Sequence, residues 1–314
     1  MPRDDIKVVF MGTPELSATV LKGLSDSGYN VVLSVSQPDK PVGRKHILTA
    51  PPAKVQAQEL GIEVYQPDSL KTDEAYELIK SKEPDLIVTA AYGKILPQRM
   101  LDIPRYGCLN VHASLLPKYR GAAPVQFSII NGDDVTGVTI MKMDAGMDTG
   151  DMLTQVEVPI DIDDHTDTLM AKLADAGRDL LLDTIDDYIE GKVPSIPHDP
   201  EKVTLTVPVK PEDGVLDLTL SARQVHDRIR ALSAWPGCST TFNGKRIKIY
   251  DSKLDEDDSD EAEPGEITVA SKGNLKVKCG KGSIYILELQ SEGGKRLKAI
   301  DCAHNYRPGQ RFGV

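Results

Sequence analysis

Four short apolar runs, at residues 6–10, 31–35, 63–65 and 85–89, alternate with stretches of helical spacing over the first ninety residues. This alternation limits the fold more than any other feature. Runs that are β-branched and unbroken, rather than alternating with polar residues, belong to strands covered on both faces. Helices between them supply the cover, which implies a parallel sheet. The first helix follows Gly12-Thr13-Pro14, places Leu16, Val20, Leu21 and Leu24 on one side, and meets Gly28 at its end. Pro14 suits a first helical turn, where a missing N–H costs nothing, and a glycine suits the end. Further helices are expected at about 52–60 and 74–80. The expectation is a doubly wound, mostly parallel α/β domain. Its first βα turn, Met11-Gly12-Thr13-Pro14-Glu15, lacks the G-x-G-x-x-G pattern and puts a carboxylate where a pyrophosphate would sit. A dinucleotide in that turn is not expected.

An amphipathic helix at about 167–190 closes this half, so that residues 1–190 read as the first domain. Residues 191–208 open with three prolines in seven positions, Pro194, Pro197 and Pro200, and read as a linker. From 209 to 314 the texture changes to short strands at 247–250, 265–270, 275–279 and 284–289, with one helix at 222–232. That pattern predicts a small C-terminal β-barrel.

Cys108, Cys238, Cys279 and Cys302 form no close pair, so free buried thiols are expected, with no metal. No run approaches the roughly 18 apolar residues of a membrane span, and Met1 to Asp5 lead straight into a strand. The expectation is a cytoplasmic protein without a membrane partner. The net charge of −11 disfavours a nucleic-acid partner at first sight, but residues 255–263 alone carry seven carboxylates. Such a run reads as a solvated loop, and the remaining −4 leaves room for a local basic surface.

Chemistry concentrates between residues 107 and 151. If 108–112 is a strand, Asn110 and His112 share a face, at the carboxyl end where open α/β sheets bind ligands. An amide donor beside a titratable donor can hold the oxygen of a polarised carbonyl. A second strand, 138–143, leads into Asp144-Ala145-Gly146-Met147-Asp148-Thr149-Gly150-Asp151, whose glycines would present Asp148 from a tight loop. A carboxylate near His112 would favour its charged form and fix its tautomer. On spacing alone, His112 fits a structural role equally well, and Asp148 a plain turn.

The residues Asn110-Val111-His112-Ala113-Ser114-Leu115-Leu116-Pro117, Arg120 to Pro124, Gly137 to Met141 and Met147 to Asp151 closely resemble the folate-dependent formyltransferases. The resemblance implies a Rossmann-like formyltransferase domain with a C-terminal OB-like β-barrel at 209–314. It assigns catalysis to Asn110, His112 and Asp148, and binding of 10-formyltetrahydrofolate, the formyl donor, to Ser114, Leu115, Leu116 and Pro117. The segment Gln37 to Lys45 resembles the substrate loop of the family branch that formylates initiator methionyl-tRNA. That likeness puts tRNA contacts on Lys40, Arg44 and Lys45, with Arg44 in recognition. Glu212-Asp213-Gly214, Trp235-Pro236-Gly237 and Asn243 to Ile249 extend the likeness into the second half, while 255–263 and the tail from Ala303 depart from it. Branches acting on amino sugar nucleotides, or releasing formate from the folate, share the catalytic trio. The implied enzyme is a monomer that formylates initiator methionyl-tRNA for translation initiation.

Overall fold

In the computed structural model, which describes residues 2–43, 46–259, 261–271 and 273–313, every apolar run of the first ninety residues contributes a strand. In chain order come β1 (Lys7–Gly12), α1 (Glu15–Asp26), β2 (Asn30–Val35), β3 (Lys40–Val42), β4 (Ile47–Thr49), α2 (Pro52–Glu59), β5 (Val64–Tyr65), α3 (Asp73–Ser81), β6 (Leu86–Ala90), α4 (Gln98–Leu101) and β7 (Cys108–His112). There follow β8 (Arg120–Gly121), α5 (Pro124–Ile130), β9 (Val135–Lys142), β10 (Met152–Pro159) and α6 (Thr166–Ile189). The main sheet has the order β10-β9-β7-β6-β1-β2-β5. From β7 to β5 all neighbours are parallel. β9 joins β7 antiparallel, so the sheet is mostly parallel, with a reversed strand beside β7.

Burial explains the pattern. Val8, Val9, Phe10 and Met11 of β1 and all of Leu86–Ala90 are buried, as strands covered on both faces require. On α1 the buried residues include Leu16, Val20, Leu21 and Leu24. Each such burial contributes roughly 1.5–3 kcal/mol, more than the at most about 0.7 kcal/mol per residue that helix propensity controls. Packing therefore sets this helix. Pro14 stands one place earlier than expected, as the N-cap, its carbonyl accepting from Ser17 and Ala18 at 2.9 and 3.2 Å.

The chain divides into two compact units. One holds Met1–Gly121, Thr136–Pro159 and Met170–Leu205; the other holds Ala122–Val135, Ile160–Leu169 and Thr206–Val314. Residues 191–205, read from composition as linker, are part of the first unit. Ile196 exchanges two backbone hydrogen bonds with Met152, at 2.8 and 2.9 Å.

The second unit carries α7 (Ala222–Leu232) and an antiparallel sheet. After β11 (Leu205–Thr206), its strands are β12 (Cys238–Phe242), β13 (Lys245–Asp255), β14 (Ile267–Ser271), β15 (Asn274–Lys278), β16 (Ser283–Ser291) and β17 (Arg296–Lys298), before α8 (Ala299–Cys302). The sheet order is β12-β13-β16-β15-β14, with β17 on β16. The tail joins its two ends. Gly313 N–H donates to Thr241 of β12, and Phe312 N–H to Gly265 just before β14, both at 2.8 Å. Phe312 also stacks with Phe242 and Tyr306. Gly265 must be glycine, because at φ +90° a Cβ would lie 2.3 Å from the Phe312 carbonyl. The tail is thus the piece that bridges the edges of this sheet.

The acidic stretch is less free than its composition implies. Asp255 pairs with Lys276 at 3.2 Å, while Asp258 pairs with Lys278 and accepts from the Gly282 N–H at 2.7 Å. Both lysine side chains are nearly buried, so the carboxylates neutralise cations that folding has withdrawn from water.

All four cysteines are free and buried. Burial pushes the thiols of Cys108, Cys238 and Cys279 up to about 12. We expect these three to be inert to a thiol reagent at pH 8 in the folded protein and to react fully in guanidinium. Rapid labelling of the native chain would contradict this burial. Among the described residues, no helix is long and apolar enough to cross a membrane.

Candidate active site

The site gathers at the carboxyl end of β7, the last parallel strand before β9. Parallel pairing sets Thr89 of β6 beside Asn110, and antiparallel pairing sets Thr139 of β9 beside His112. The Thr89 hydroxyl donates to Asn110 Oδ1 at 2.8 Å. Its longer contacts to the Leu109 carbonyl and Met143 Sδ, both 3.3 Å, compete less well for one proton. With its carbonyl oxygen so occupied, Asn110 keeps its two N–H donors for a ligand. Thr89 escaped the sequence reading, which took residues 85–89 only as core; the register of the two strands is the signal that finds it.

His112 is 6% exposed. Its Nε2 lies 3.1 Å from the Tyr119 carbonyl, which can only accept, so Nε2 carries a proton. Nδ1 then faces Asp148, with Oδ1 at 3.7 Å. That separation is too long for a direct hydrogen bond. A ring lone pair facing a carboxylate is unfavourable, so the arrangement calls for a proton between them, on Nδ1 or on a bridging donor.

Asp148 is held as firmly. It adopts φ 53°, and the Gly121 N–H donates to its Oδ2 at 2.8 Å. Left-handed backbone costs a non-glycine residue about 1–2 kcal/mol, and the surrounding loop over-determines it. Asp144 Oδ1 accepts from the Gly146 N–H at 3.0 Å and the Thr149 hydroxyl at 2.6 Å. At Gly150 a Cβ would stand 1.9 Å from the Lys142 carbonyl, so any side chain would displace the loop. Tyr119 is left-handed too, at φ 61°. The strained positions are thus Asp148 itself and the residue that holds His112, as is common where geometry is enforced.

The segment Ser114 to Pro117 follows directly. Ser114 and Leu116 are buried, and the Ser114 hydroxyl donates to the Lys118 carbonyl at 2.7 Å. Thr139 Oγ1 donates to the Ser114 carbonyl at 2.7 Å and accepts from the Leu116 N–H at 3.0 Å. These side chains hold the loop's shape, while Leu115 and Pro117 remain half-buried and the more available to a ligand. A cleft of about 560 Å³ opens at the other end of β7, among Arg105, Tyr106, Cys108 and Lys142; its lining includes none of Asn110, His112 and Asp148.

In the expected substrate loop, Lys40 is exposed and pairs with Thr49 in the β3–β4 hairpin, whose Ile47 and Leu48 are also exposed. Arg44 and Lys45 lie outside the described residues. Lys54, on α2, is bound to Asp39 at 2.8 Å. Lys54 and Gln66 together hold the Asp39 carboxyl below the usual carboxylate range.

Residues 6–185 match the family described as formyl transferase, and residues 208–307 its C-terminal domain. The chain belongs to the formyl transferase family. This formyl transferase is 48% identical to a methionyl-tRNA formyltransferase of Macrococcus caseolyticus, with 93% of each chain covered. It is 42% identical to the enzyme of that name from Geobacter sulfurreducens, over 98% of this chain and 97% of the relative. Solved structures share the fold at lower identity. An N-formyltransferase from Helicobacter canadensis, in complex with folinic acid and dTDP-3-aminofucose, is 19% identical with a TM-score of 0.68, over 90% of this chain and 98% of that one. HypX from Aquifex aeolicus, in complex with tetrahydrofolic acid, is 15% identical with a TM-score of 0.65; 94% of this chain spans 46% of that longer protein.

Proposed function

We propose that this formyl transferase moves the formyl group of 10-formyltetrahydrofolate to the amino group of initiator methionyl-tRNA, giving N-formylmethionyl-tRNA. The identity to named methionyl-tRNA formyltransferases over nearly the whole chain supports the acceptor most strongly. The chemistry rests on the Asn110, His112 and Asp148 group. The folate is a substrate, and the half-buried Leu115 and Pro117 offer it an apolar edge beside that group.

The acceptor amine needs little activation. A free α-amino group has a pKa of about 7.7–8.0, and esterification of the carboxyl lowers it, so a neutral fraction exists at pH 7. As nitrogen attacks the formyl carbon, negative charge gathers on oxygen. The Asn110 N–H donors, oriented by Thr89, and a protonated His112 Nδ1 are placed to receive it. Because Nε2 is committed to the Tyr119 carbonyl, Nδ1 is the ring nitrogen that serves the substrate. Asp148 opposes the imidazolium charge and takes up the proton leaving the amine, directly or through water. That proton then passes, directly or through water, to the folate nitrogen as its bond to the formyl carbon breaks, so that tetrahydrofolate leaves neutral and the carboxylate is restored.

Labelled 10-formyltetrahydrofolate, offered with initiator methionyl-tRNA, elongator methionyl-tRNA or an amino sugar nucleotide, tests this reading. Label is expected on the initiator tRNA. Label on the sugar, or free formate in place of transfer, would overturn the acceptor assignment. Arg44→Ala is expected to lower kcat/KM for the tRNA at least about tenfold, the scale of one lost charge-assisted contact, while folate affinity stays unchanged. An unchanged tRNA kcat/KM would remove Arg44 from recognition.

A further inference from the structure

We infer that His198, in the segment following α6, is a positioning residue that locks the Asp148 loop against the strand carrying Gly121. This inference rests on the role proposed above for Asp148.

The segment from Ile196 to Thr204 is stitched to both sides of the site. On one side Ile196 pairs with Met152, next to the end of the Asp148 loop. On the other, the Thr204 carbonyl accepts from the Arg120 N–H at 2.9 Å, and Thr204 Oγ1 accepts from the Tyr119 N–H at 2.8 Å. Tyr119 is the residue whose carbonyl holds His112. His198 stands between these anchors. Arg120 Nε donates to His198 Nδ1 at 2.9 Å, the buried Nε2 makes no hydrogen bond among the described residues, and two residues earlier Ile196 ties the segment to Met152. Both ties lead to Asp148: Gly121 follows Arg120 and donates to its carboxylate, and Met152 lies four residues beyond it. The segment, held by the imidazole at Arg120 and by Ile196 at Met152, therefore joins the two stretches of chain that set where the Asp148 carboxylate points.

The join depends on charge state. An arginine can only donate, so His198 Nδ1 must be an unprotonated acceptor, and the ring proton sits on the buried Nε2. Burial and the Arg120 charge both lower the His198 pKa. The Gly150 backbone, Asp151 and Asp144 act in the opposite sense. The ring thus stays neutral at neutral pH and keeps its acceptor. Two prolines, Pro197 and Pro200, bracket the position and stiffen the segment that carries it.

The test compares His198→Leu, His198→Ala and His198→Asn with Asp148→Asn in the full chain, using formyl transfer to methionyl-tRNA. Leucine and alanine remove the acceptor, whereas asparagine can place its Oδ1 where Nδ1 was. Leucine and alanine are expected to lower kcat by about tenfold, within the range that small misplacements of catalytic groups produce. KM for both substrates should stay within about twofold, and asparagine should recover kcat to within about threefold. A purely structural histidine would show no such split and no rescue. If either acceptor-less variant keeps parental kcat while Asp148→Asn collapses, the positioning role is wrong. If Asp148→Asn also keeps its turnover, the assignment of Asp148 fails first. Should leucine prevent folding, alanine carries the same comparison.

Discussion

His112→Ala is expected to lower kcat by about 10²–10³, the loss seen when one preorganised donor is taken from a developing oxyanion, in a protein that still folds. The ring is fixed by the Tyr119 carbonyl on one side and faces Asp148 on the other, so no neighbouring side chain can swing into its place. Asn110→Ala should cost at least about 10² for the same reason. Its effect on folding is small by construction, since the Thr89 hydroxyl can turn to the Leu109 carbonyl, already 3.3 Å away. Asp148→Ala belongs to the same scale. It also frees the left-handed loop, so its KM for the acceptor is expected to rise more than that of the other two. Single-turnover formyl transfer and a thermal melt on each variant decide the matter. Turnover within tenfold of the parent, in a folded His112→Ala protein, would remove the ring from the chemistry.

The parts legible in sequence were those with a short physical period. Continuous apolar runs located β1, β2, β5 and β6, and the expected strand at 108–112 is β7, along which period-two alternation puts Asn110 and His112 on one side. What stayed hidden depends on pairing between distant segments. Nothing local reveals that β9 lies antiparallel beside β7, or that Thr89 lands next to Asn110. The β3–β4 hairpin was hidden by its Pro/Gly-rich composition, and β10 by an edge pattern that buries only some of its residues. Composition also misjudged residues 191–205. Prolines removed the periodicity, yet backbone and side-chain hydrogen bonds at Ile196, His198 and Thr204 fasten that segment to the site. The acidic stretch read as a solvated loop and the tail drew no structural role, because charge and length say little about partners. Their partners, Gly265 and Thr241 for one and Lys276 and Lys278 for the other, appear only in three dimensions.

The largest loss of stability is expected at a position with no part in the chemistry. Asp227→Ala should cost about 3–5 kcal/mol, the penalty for leaving a buried charge without its counter-charge. Arg230 and Asp227 are each 1% exposed. Arg230 Nε donates to Asp227 Oδ1 at 2.8 Å; Nη2 lies equally close to that oxygen but off the hydrogen-bonding axis. Nη1 donates to the carbonyls of Asp161 and Asp164 at 3.1 and 3.0 Å. The other Asp227 oxygen accepts from Arg223 Nε at 2.8 Å. One carboxylate thus serves two guanidinium groups, and its removal strands the deeper one. Two carbonyl dipoles cannot replace it, and water has little access at this depth. The double substitution Asp227→Leu/Arg230→Met separates charge from packing. If the loss comes from the stranded charge, the double variant should be more stable than Asp227→Ala despite carrying two changes, because removing both partners also removes the desolvation cost. Urea midpoints for the parent, the single and the double variants give the comparison. A single variant that unfolds at the parental midpoint would mean that Arg230 reaches water or another anion, contrary to its burial.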